Sequence, residues 1–581
     1  MGKVKNSVEQ DPDNAAQTCG ACSNLLFRTI RGWFPINFWQ EVKNIFKLAV
    51  PAILSQLMLS LLNIVSIAFS GHLGKTELAA VSLAALIIGV LGISVGIGLC
   101  MACDTLISQT YGSKNLKRIG VILQRGTLIL LIACFPCWAF FVNTEHVLLA
   151  LKQPPQVAKL AQLFVLIGSC GLPAVFLYQL ELRYLHNQGI TIPQLFVGFI
   201  TNVLNVVINY LFAYVLKLGV AGLAAANITS QYCQTILLFG YIRWKKLHLQ
   251  TWAGWSTGCL QEWGNYLRLA IPSMLMICSE WWANNIGTFL VGLISEVEMG
   301  AQTIVLQFIL VLYRIPLGIG MAATVYVGNA LGAGNPQQAV NSAKVAVCCA
   351  GFTSFITAVV LGAAKSKLAY IFTNDKDIVD LVSEVVPLCA AFHLFDAIVG
   401  VCFGVLRGAG KQKLGAFSSL VGYYLIGFPV GIPLMFAAKC GIFGLWYGML
   451  TSVIGQLVFF LIVFYRFNWN EACSEALVNA GVVKNVDTSH SASGCQTQYR
   501  STDVDTRNRA VNPIPDVCQS EIQTEEDRVM DTSSTADTGV TTVGEILSTK
   551  QLIIRRGLTF LSGPVILAIG LTVHFILSKD M

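Results

Sequence analysis

Apolar runs long enough to cross a bilayer recur along almost the whole of this chain, and nothing else in the sequence limits its fold so strongly. A spanning helix needs about 20 such residues at ~1.5 Å rise each. The runs fall near 47–70, 78–111, 121–142, 160–182, 194–216, 219–242, 268–293, 298–327, 340–363, 380–406, 414–437 and 441–465, with a last one near 557–577. Hydrocarbon offers no water to unpaired backbone groups, so such segments are helices or a closed barrel. They lack period-two alternation, which decides for helices. With 12% of its 581 residues charged and 55% apolar, the chain also has too little charge to coat a soluble domain of its size.

Between the twelfth and last runs lies a stretch rich in Ser, Thr, Asp and Glu, including Glu525, Glu526 and Asp527. It has too few apolar residues to offset the entropy of ordering and reads as a disordered tail. Lys and Arg set the orientation. Arg28, Arg31, Lys43, Lys114, Lys117, Arg118, Arg183, Arg243, Lys245, Lys246, Arg407, Lys411 and Lys413 fall on one side, against Lys75, Lys152, Lys217 and Lys439 on the other. The richer side is cytoplasmic, which puts the N-terminus and tail inside and Lys579–Met581 outside. The loop 363–380 runs against this bias with Lys365, Lys367 and Lys376. A net charge of +7 spread over many loops points to topology rather than nucleic acid.

An internal repeat is the most informative pattern. Lys47-Leu-Ala-Val-Pro51 returns as Arg268-Leu-Ala-Ile-Pro272, and Glu77-Leu-Ala-Ala80 as Glu298-Met-Gly-Ala301. Gly96-Ile-Gly98 matches Gly318-Ile-Gly320, and Tyr111-Gly-Ser-Lys-Asn115 matches Leu331-Gly-Ala-Gly-Asn335. Leu185-His-Asn-Gln-Gly189 answers Leu406-Arg-Gly-Ala-Gly410, while Lys217, Gly219 and Gly222 answer Lys439, Gly441 and Gly444. Each copy holds six spans, an even number, so both enter the membrane the same way. The expected fold is an all-α membrane protein. Its twelve-helix core has two tandem six-helix lobes about a pseudo-two-fold along the membrane normal, plus a thirteenth C-terminal helix. Two parallel lobes around a cavity is a transporter design. The expected divisions are a cytoplasmic arm (1–42), an N-lobe (43–246), a linker (247–262), a C-lobe (263–466), the tail (467–552) and the last helix (553–581).

At this point the residues resemble the multidrug and toxic compound extrusion (MATE) family, in its vertebrate branch. The resemblance rests on Pro51, Gln56, Ser70-Gly-His-Leu-Gly74 and Glu77-Leu-Ala in the first copy. In the second it rests on Ser279-Glu-Trp-Trp282, Gly300-Ala-Gln302, Val327-Gly-Asn-Ala-Leu-Gly-Ala-Gly-Asn335 and Val405-Leu-Arg-Gly-Ala-Gly410. It covers about residues 40–466 and implies proton-coupled export of small organic cations across a plasma membrane, without nucleotide or cofactor. The pattern also departs from the family. Vertebrate relatives carry acidic residues where this chain has Asn285 and Gln307, a Glu where it has Asp396, and no Arg at the position of Arg314. Bacterial relatives often place an Asp in the first span where this chain has Ser66, so the first lobe offers no obvious ion carrier.

A charge at mid-bilayer costs about 2.5–3.5 kcal/mol on insertion scales, so each one needs a reason. Glu280, twelve residues past Arg268, sits near the middle of the seventh span. Deprotonated, it would attract a cation against the faces of Trp281 or Trp282; protonated, it would release it. The alternative is a structural pair with a neighbouring helix. Asp396 and His393 are one turn apart on the tenth span and share a face, either to carry protons or to lock two helices. Gln56, Asn285, Gln307, Tyr313 and Arg314 complete the expected cavity wall, with Tyr313 reading more as core than as cation cage. Arg314 either neutralises Asp396 or faces an anionic substrate. Pro51, Pro272 and Pro316 are expected to bend their helices. Asp104 reads as a contact with the polar boundary.

Other chemistries find no support. Gly404-Val-Leu-Arg-Gly-Ala-Gly-Lys411 misses the phosphate-loop spacing, and Gln412 stands where Ser or Thr is required. Cys19 and Cys22 form one CxxC near the N-terminus, and the sequence around them offers no second pair of ligands to complete a zinc site. Residues 1–24 have no apolar core for a signal peptide. The sequon Asn227-Ile-Thr229 lies within the sixth span. Sodium coupling, an anionic substrate and lipid flipping remain alternatives on the same fold.

Overall fold

The computed structural model describes residues 37–482 and 547–579, and among these no strand occurs. Cys19, Cys22 and most of the polar tail lie outside the described residues. The first lobe is α1 (Phe38–Leu73), α2 (Lys75–Gly112), α3 (Leu116–Val142), α4 (Pro155–Ser169 continued by Leu172–His186), α5 (Ile192–Val215) and α6 (Gly219–Trp244). The second is α7 (Trp263–Gly292), α8 (Glu296–Gly332), α9 (Pro336–Ile371), α10 (Lys376–Gly408), α11 (Gln412–Phe436) and α12 (Ile442–Tyr465). Two further helices follow, α13 (Trp469–Asn479) and α14 (Thr549–Lys579). Ten described helices are long and apolar enough to cross a membrane, or eleven when the halves of α4, bent by 51°, count as one span. Helices α6 and α7 are as long but more polar, carrying Asn227, Gln231 and Gln234 on one and Glu280 and Asn285 on the other.

The repeat is visible in the backbone. Left-handed residues recur in register, Lys114 with Gly334, Gly189 with Gly410, Lys217 with Lys439 and Gly219 with Gly441. That conformation suits glycine and is uncommon for other residues, so equivalent turns close both lobes. The lobes meet through α2 against α7 and α8, and through α1 against α8. At the pseudo-two-fold, Gly112 lies on the backbone of Asn329 while Gly332 lies on the backbone of Gln109. Gly112 and Gly332 are repeat equivalents, as are Gln109 and Asn329. Neither glycine could carry a Cβ without pushing the helices apart. This seam lies at the side of the membrane where α1 begins, here the near face; Gly74, between α1 and α2, marks the far face.

The predicted bends are only partly realised. Helices α1 and α7 run through Pro51 and Pro272 without interruption, whereas α8 breaks at Tyr313, three residues before Pro316. Proline lacks an N–H and crowds the preceding turn, which places a break on its N-terminal side. The same cause acts in α4, where Pro173 follows the break at Cys170 and Gly171.

One region differs from expectation and one is pinned by charge. The inter-lobe linker is held because the buried carboxylate of Glu262 sits 2.7 Å from Arg118 and 3.2 Å from Arg125 of α3. The first turns of the expected tail form α13: Asn468 caps it by accepting from the Glu471 amide, and Ala472, Cys473 and Ala476 pack inward. Helix α14 lies on α3, with Gly563 against Phe135 and Gly570 against Ala139. Small residues give such close approach in lipid, where no hydrophobic force drives helices together. Asn143 Nδ2 donates to the Gly570 carbonyl at 3.0 Å.

Candidate functional site

The site is organised by an irregularity in α2. Residues Gly89–Ile93 form a π-turn, which widens the helix by one residue and leaves carbonyls free for other partners. The Val90 carbonyl accepts from Ser94 Oγ at 2.7 Å and from Trp282 Nε1 of α7 at 3.2 Å. Ser94 Oγ also lies 3.5 Å from Cys278 Sγ. The Glu280-Trp281-Trp282 stretch is thereby fixed against the opposite lobe.

Beside this contact opens a cavity of about 340 Å³, lined from α2 by Ile88 and Gly89, from α4 by Leu172, from α6 by Asn227 and Gln231, and from α7 by Trp281 and Asn285. Its wall is apolar and amide-bearing, with no charged side chain. Asn285 Nδ2 donates to the Trp281 carbonyl at 2.8 Å, which holds that amide beside the indole. Trp281 and Asn285, expected from sequence in a substrate cavity, line this one. Gln56 is half-buried in α1 and Gln307 is exposed on α8; neither lines this cavity, and nor do Tyr313 and Arg314.

The ionisable groups gather deeper in the C-lobe. Glu280 on α7, Tyr313 at the break of α8, Asp396 on α10 and Tyr423 on α11 lie within electrostatic reach of one another, with Arg407 beyond them. The Tyr313 hydroxyl packs on Gly400, one turn from Asp396. Among the described residues, no cation lies within 4.0 Å of either acid. Arg314 accordingly does not neutralise Asp396. His393, although a turn away, does not pair with Asp396 either: its Nε2 lies 3.0 Å from Thr357 Oγ1 of α9. The i, i+3 spacing put both on one side of α10, but the helix rotates His393 toward α9 and Asp396 toward the lobe interior.

Towards the near face the lobes are locked by groups that sequence reading undervalued. Asp104 is buried, 3.1 Å from Arg183 and 4.0 Å from Arg407, and accepts from Asn187 Nδ2 at 3.3 Å. Arg407 comes from the C-lobe, so this pair spans the seam. Thr105 Oγ1 donates to the Arg407 carbonyl at 2.6 Å, and Gln109 Nε2 to the Gly408 carbonyl at 3.0 Å. Asn479 of α13 donates to Gln109 Oε1 at 3.1 Å and accepts from Asn265 at 3.3 Å. The partners of Asp104 lie far away in sequence, so no local pattern marks them. The N-lobe also holds a half-buried acid, Glu181 of α4, whose shielded Oε2 has no hydrogen-bond partner; it lies one residue inside the edge of the predicted fourth span.

Comparison with known proteins bears on the fold and the family. A family model described as MatE matches twice, over residues 51–211 and 272–432, once in each lobe. Multidrug and toxin extrusion protein 1 of Danio rerio is 50% identical over 566 residues, covering 97% of this chain and 94% of that protein. Multidrug and toxin extrusion protein 2 of Mus musculus is 49% identical, with 94% of each chain covered, and the Homo sapiens protein 1 is 46% identical, with 93% and 94% covered. Among solved structures, the eukaryotic MATE transporter AtDTX14 superposes with a TM-score of 0.73 at 28% identity, covering 76% of this chain and 99% of that one.

Proposed function

The chain belongs to the MatE family of membrane transporters, and we propose that it exports organic cations in exchange for protons. The observation that carries this reading is the pair of C-lobe acids, Glu280 and Asp396, that sense each other and have no cation partner among the described residues. A lone charged carboxylate inside a membrane costs about 2.5–3.5 kcal/mol on insertion scales. A bound cation or a bound proton relieves that cost, and the two compete for the same oxygen. Competition for one site is what couples opposite fluxes. The indole of Trp281 at the cavity adds a π face worth about 0.5–2 kcal/mol to a desolvated cation. His393, bonded to Thr357, serves in this reading to hold α9 to α10.

The lysine and arginine bias puts the near face in the cytoplasm of a plasma-membrane protein, with α14 ending outside. The seam of Gly112, Gly332, Asp104 and Arg407 then closes the cytoplasmic side and supports an outward-facing reading of this arrangement. Access from inside requires that seam to part, with the breaks in α4 and α8 as flexing points.

The test is uptake of labelled tetraethylammonium into proteoliposomes under an imposed proton gradient. Wild type accumulates the cation, and Glu280→Gln lowers gradient-driven uptake at least about tenfold, or ~1.4 kcal/mol. No uptake by a folded wild type rejects the cation reading. Arg314, which has no acidic partner within 4.0 Å among the described residues, then favours an anionic substrate. A sodium gradient substituted for the proton gradient separates the remaining coupling ion.

A further inference from the structure

The linker that joins the lobes faces two ways. Its backbone is tied to the N-lobe: the Tyr184 hydroxyl donates to the Leu247 carbonyl at 3.2 Å and lies 2.7 Å from Thr251 Oγ1. Gln124 of α3 donates to the Gly254 carbonyl at 2.7 Å and accepts from the Ser256 amide at 3.1 Å. Trp263, where the linker enters α7, is buried, and its ring lies 4.4 Å from the Arg556 guanidinium of α14. Three large apolar side chains of the same segment point outward instead: Trp244, Leu249 and Trp255 are 74%, 65% and 67% exposed. With its backbone tied at so many points, the segment is a fixed surface, and its outward indoles are held there.

Charge on this surface has one sign. Residues 243–261 contain no Asp or Glu, whereas Arg243, Lys245 and Lys246 are all exposed. None of the three has an acid within 4.0 Å among the described residues. Glu262, which closes the segment, is already taken by Arg118 and Arg125. Lys245 Nζ lies 4.5 Å from the Trp244 ring centroid, so cation and indole sit at one level. The start of α14 adds exposed Lys550 and Arg555 near the linker's end, where Gln261 and Leu547 exchange two hydrogen bonds. Place decides the partner. Helix α6 ends at Trp244 and α7 begins at Trp263, so the linker joins two helix ends at the near face, level with lipid headgroups. Indoles are enriched at that interface, and basic residues there attract anionic lipids. A loop facing water gains nothing from three outward apolar side chains, whereas a headgroup layer accepts both indole and ammonium.

We propose that the inter-lobe linker docks on the bilayer surface and binds an anionic phospholipid of the phosphatidylserine type. Arg243, Lys245 and Lys246 meet the headgroup's phosphate and carboxylate, while Trp244, Leu249 and Trp255 sit at the level where the acyl chains begin. The inference goes beyond cation–proton exchange and stands without it. It takes from that reading only the orientation, with the near face on the cytoplasmic leaflet, whose surface carries the anionic lipids.

The test titrates dioctanoyl phosphatidylserine and dioctanoyl phosphatidylcholine onto the full chain in neutral detergent micelles and measures binding by calorimetry, which needs no transport. Each basic residue at an anionic surface contributes about fivefold in affinity, so wild type is expected to bind the serine lipid at least ~tenfold tighter than the choline lipid. Combining Arg243→Gln, Lys245→Gln and Lys246→Gln is expected to remove that preference and leave the affinity for the choline lipid as it was. Equal affinity of wild type for the two lipids overturns the proposal, and so does a preference that survives in the triple variant. Should that variant not fold, Lys245→Gln alone is expected to weaken binding of the serine lipid about fivefold, and no loss in it overturns the proposal as well. Two further ligands identify the source of the anion. Glycerophosphoserine has the headgroup without acyl chains, and a hexaglutamate peptide has the charge without the lipid. Either one binding as tightly as the serine lipid overturns the assignment to a membrane.

Discussion

The two lobes are one scaffold holding two different interiors. Their turns repeat down to the left-handed residues, Lys114 with Gly334 and Gly189 with Gly410, and their helices cross with reciprocal contacts at Gly112 and Gly332. Yet the C-lobe gathers Glu280, Tyr313, Asp396 and Tyr423 from four helices, while the N-lobe presents mainly amides, with Asn227 and Gln231 at the cavity and Glu181 beneath them. Matching backbone geometry is what the proposed alternating motion about a two-fold would require of both halves. Charge is not so constrained. In the proposed function, the unequal interiors place binding chemistry on the scaffold independently of its symmetry.

That contrast is most exposed at buried acids of opposite kind. Asp104 holds the seam, so Asp104→Ala leaves Arg183 and Arg407 buried without their counter-charge. Removing one member of a buried pair costs about 3–5 kcal/mol. Thermal unfolding in detergent is expected to show that loss, whereas Asp396→Asn, which removes an unpaired charge, leaves stability equal or higher while lowering transport. Equal losses in both variants would erase the distinction between an acid that builds the lobe and one that serves it.

Next in size is the symmetry itself. Gly112→Val and Gly332→Val each push a side chain into the opposite helix backbone, at Asn329 and Gln109. Overpacking of this kind costs about 1–3 kcal/mol. The two variants should be alike in unfolding temperature, because they strike twin contacts, and both should raise the labelling rate of nearby engineered cysteines as the seam loosens. A twofold or larger disparity in that rate would mean that the near-face contact is not truly shared between lobes.

The scaffold was legible from sequence because its determinants are local or periodic. Apolar runs mark spans, and the offset repeat of Lys47-Leu-Ala-Val-Pro51 in Arg268-Leu-Ala-Ile-Pro272 marks two lobes. Helices α6 and α7, read from sequence as apolar runs near 219–242 and 268–293, are long helices here but too polar to count as spans on hydropathy alone. Trp281 was expected at the cavity as a neighbour of Glu280, and Asn285 because the family resemblance puts an acidic residue at its position; both line the cavity. What stayed hidden depends on which way a helix faces and on what it meets. The ion pair of Asp104 and Arg183 joins residues 79 apart, and its second partner, Arg407, comes from the other lobe. His393 and Asp396 share a side of α10 yet meet different neighbours. Helix α13 escaped because its buried face is made of Ala472, Cys473 and Ala476, which carry little hydropathy but fit a narrow groove. The π-turn at Gly89–Ile93 has no marker beyond two glycines.

The smallest effect concerns the contact that breaks the symmetry most directly. Trp282 Nε1 donates to Val90, whose carbonyl the π-turn frees for it. The position equivalent to Trp282 in the first lobe, one repeat of 221 earlier, is Leu61, which has no donor to offer. Trp282→Phe keeps a ring but removes the N–H, and interhelical hydrogen bonds in membranes average about 0.6 kcal/mol. Stability is therefore expected to fall by no more than ~1 kcal/mol, near the limit of an unfolding measurement. Transport reports it more sharply. If the bond fixes Glu280 relative to α2, the apparent KM for tetraethylammonium should rise by about two- to fivefold with little change in maximal rate, because binding loses orientation while the proton steps are untouched. A change confined to maximal rate would place the bond in the moving step instead, and Trp282 would then belong with the seam rather than with the cavity.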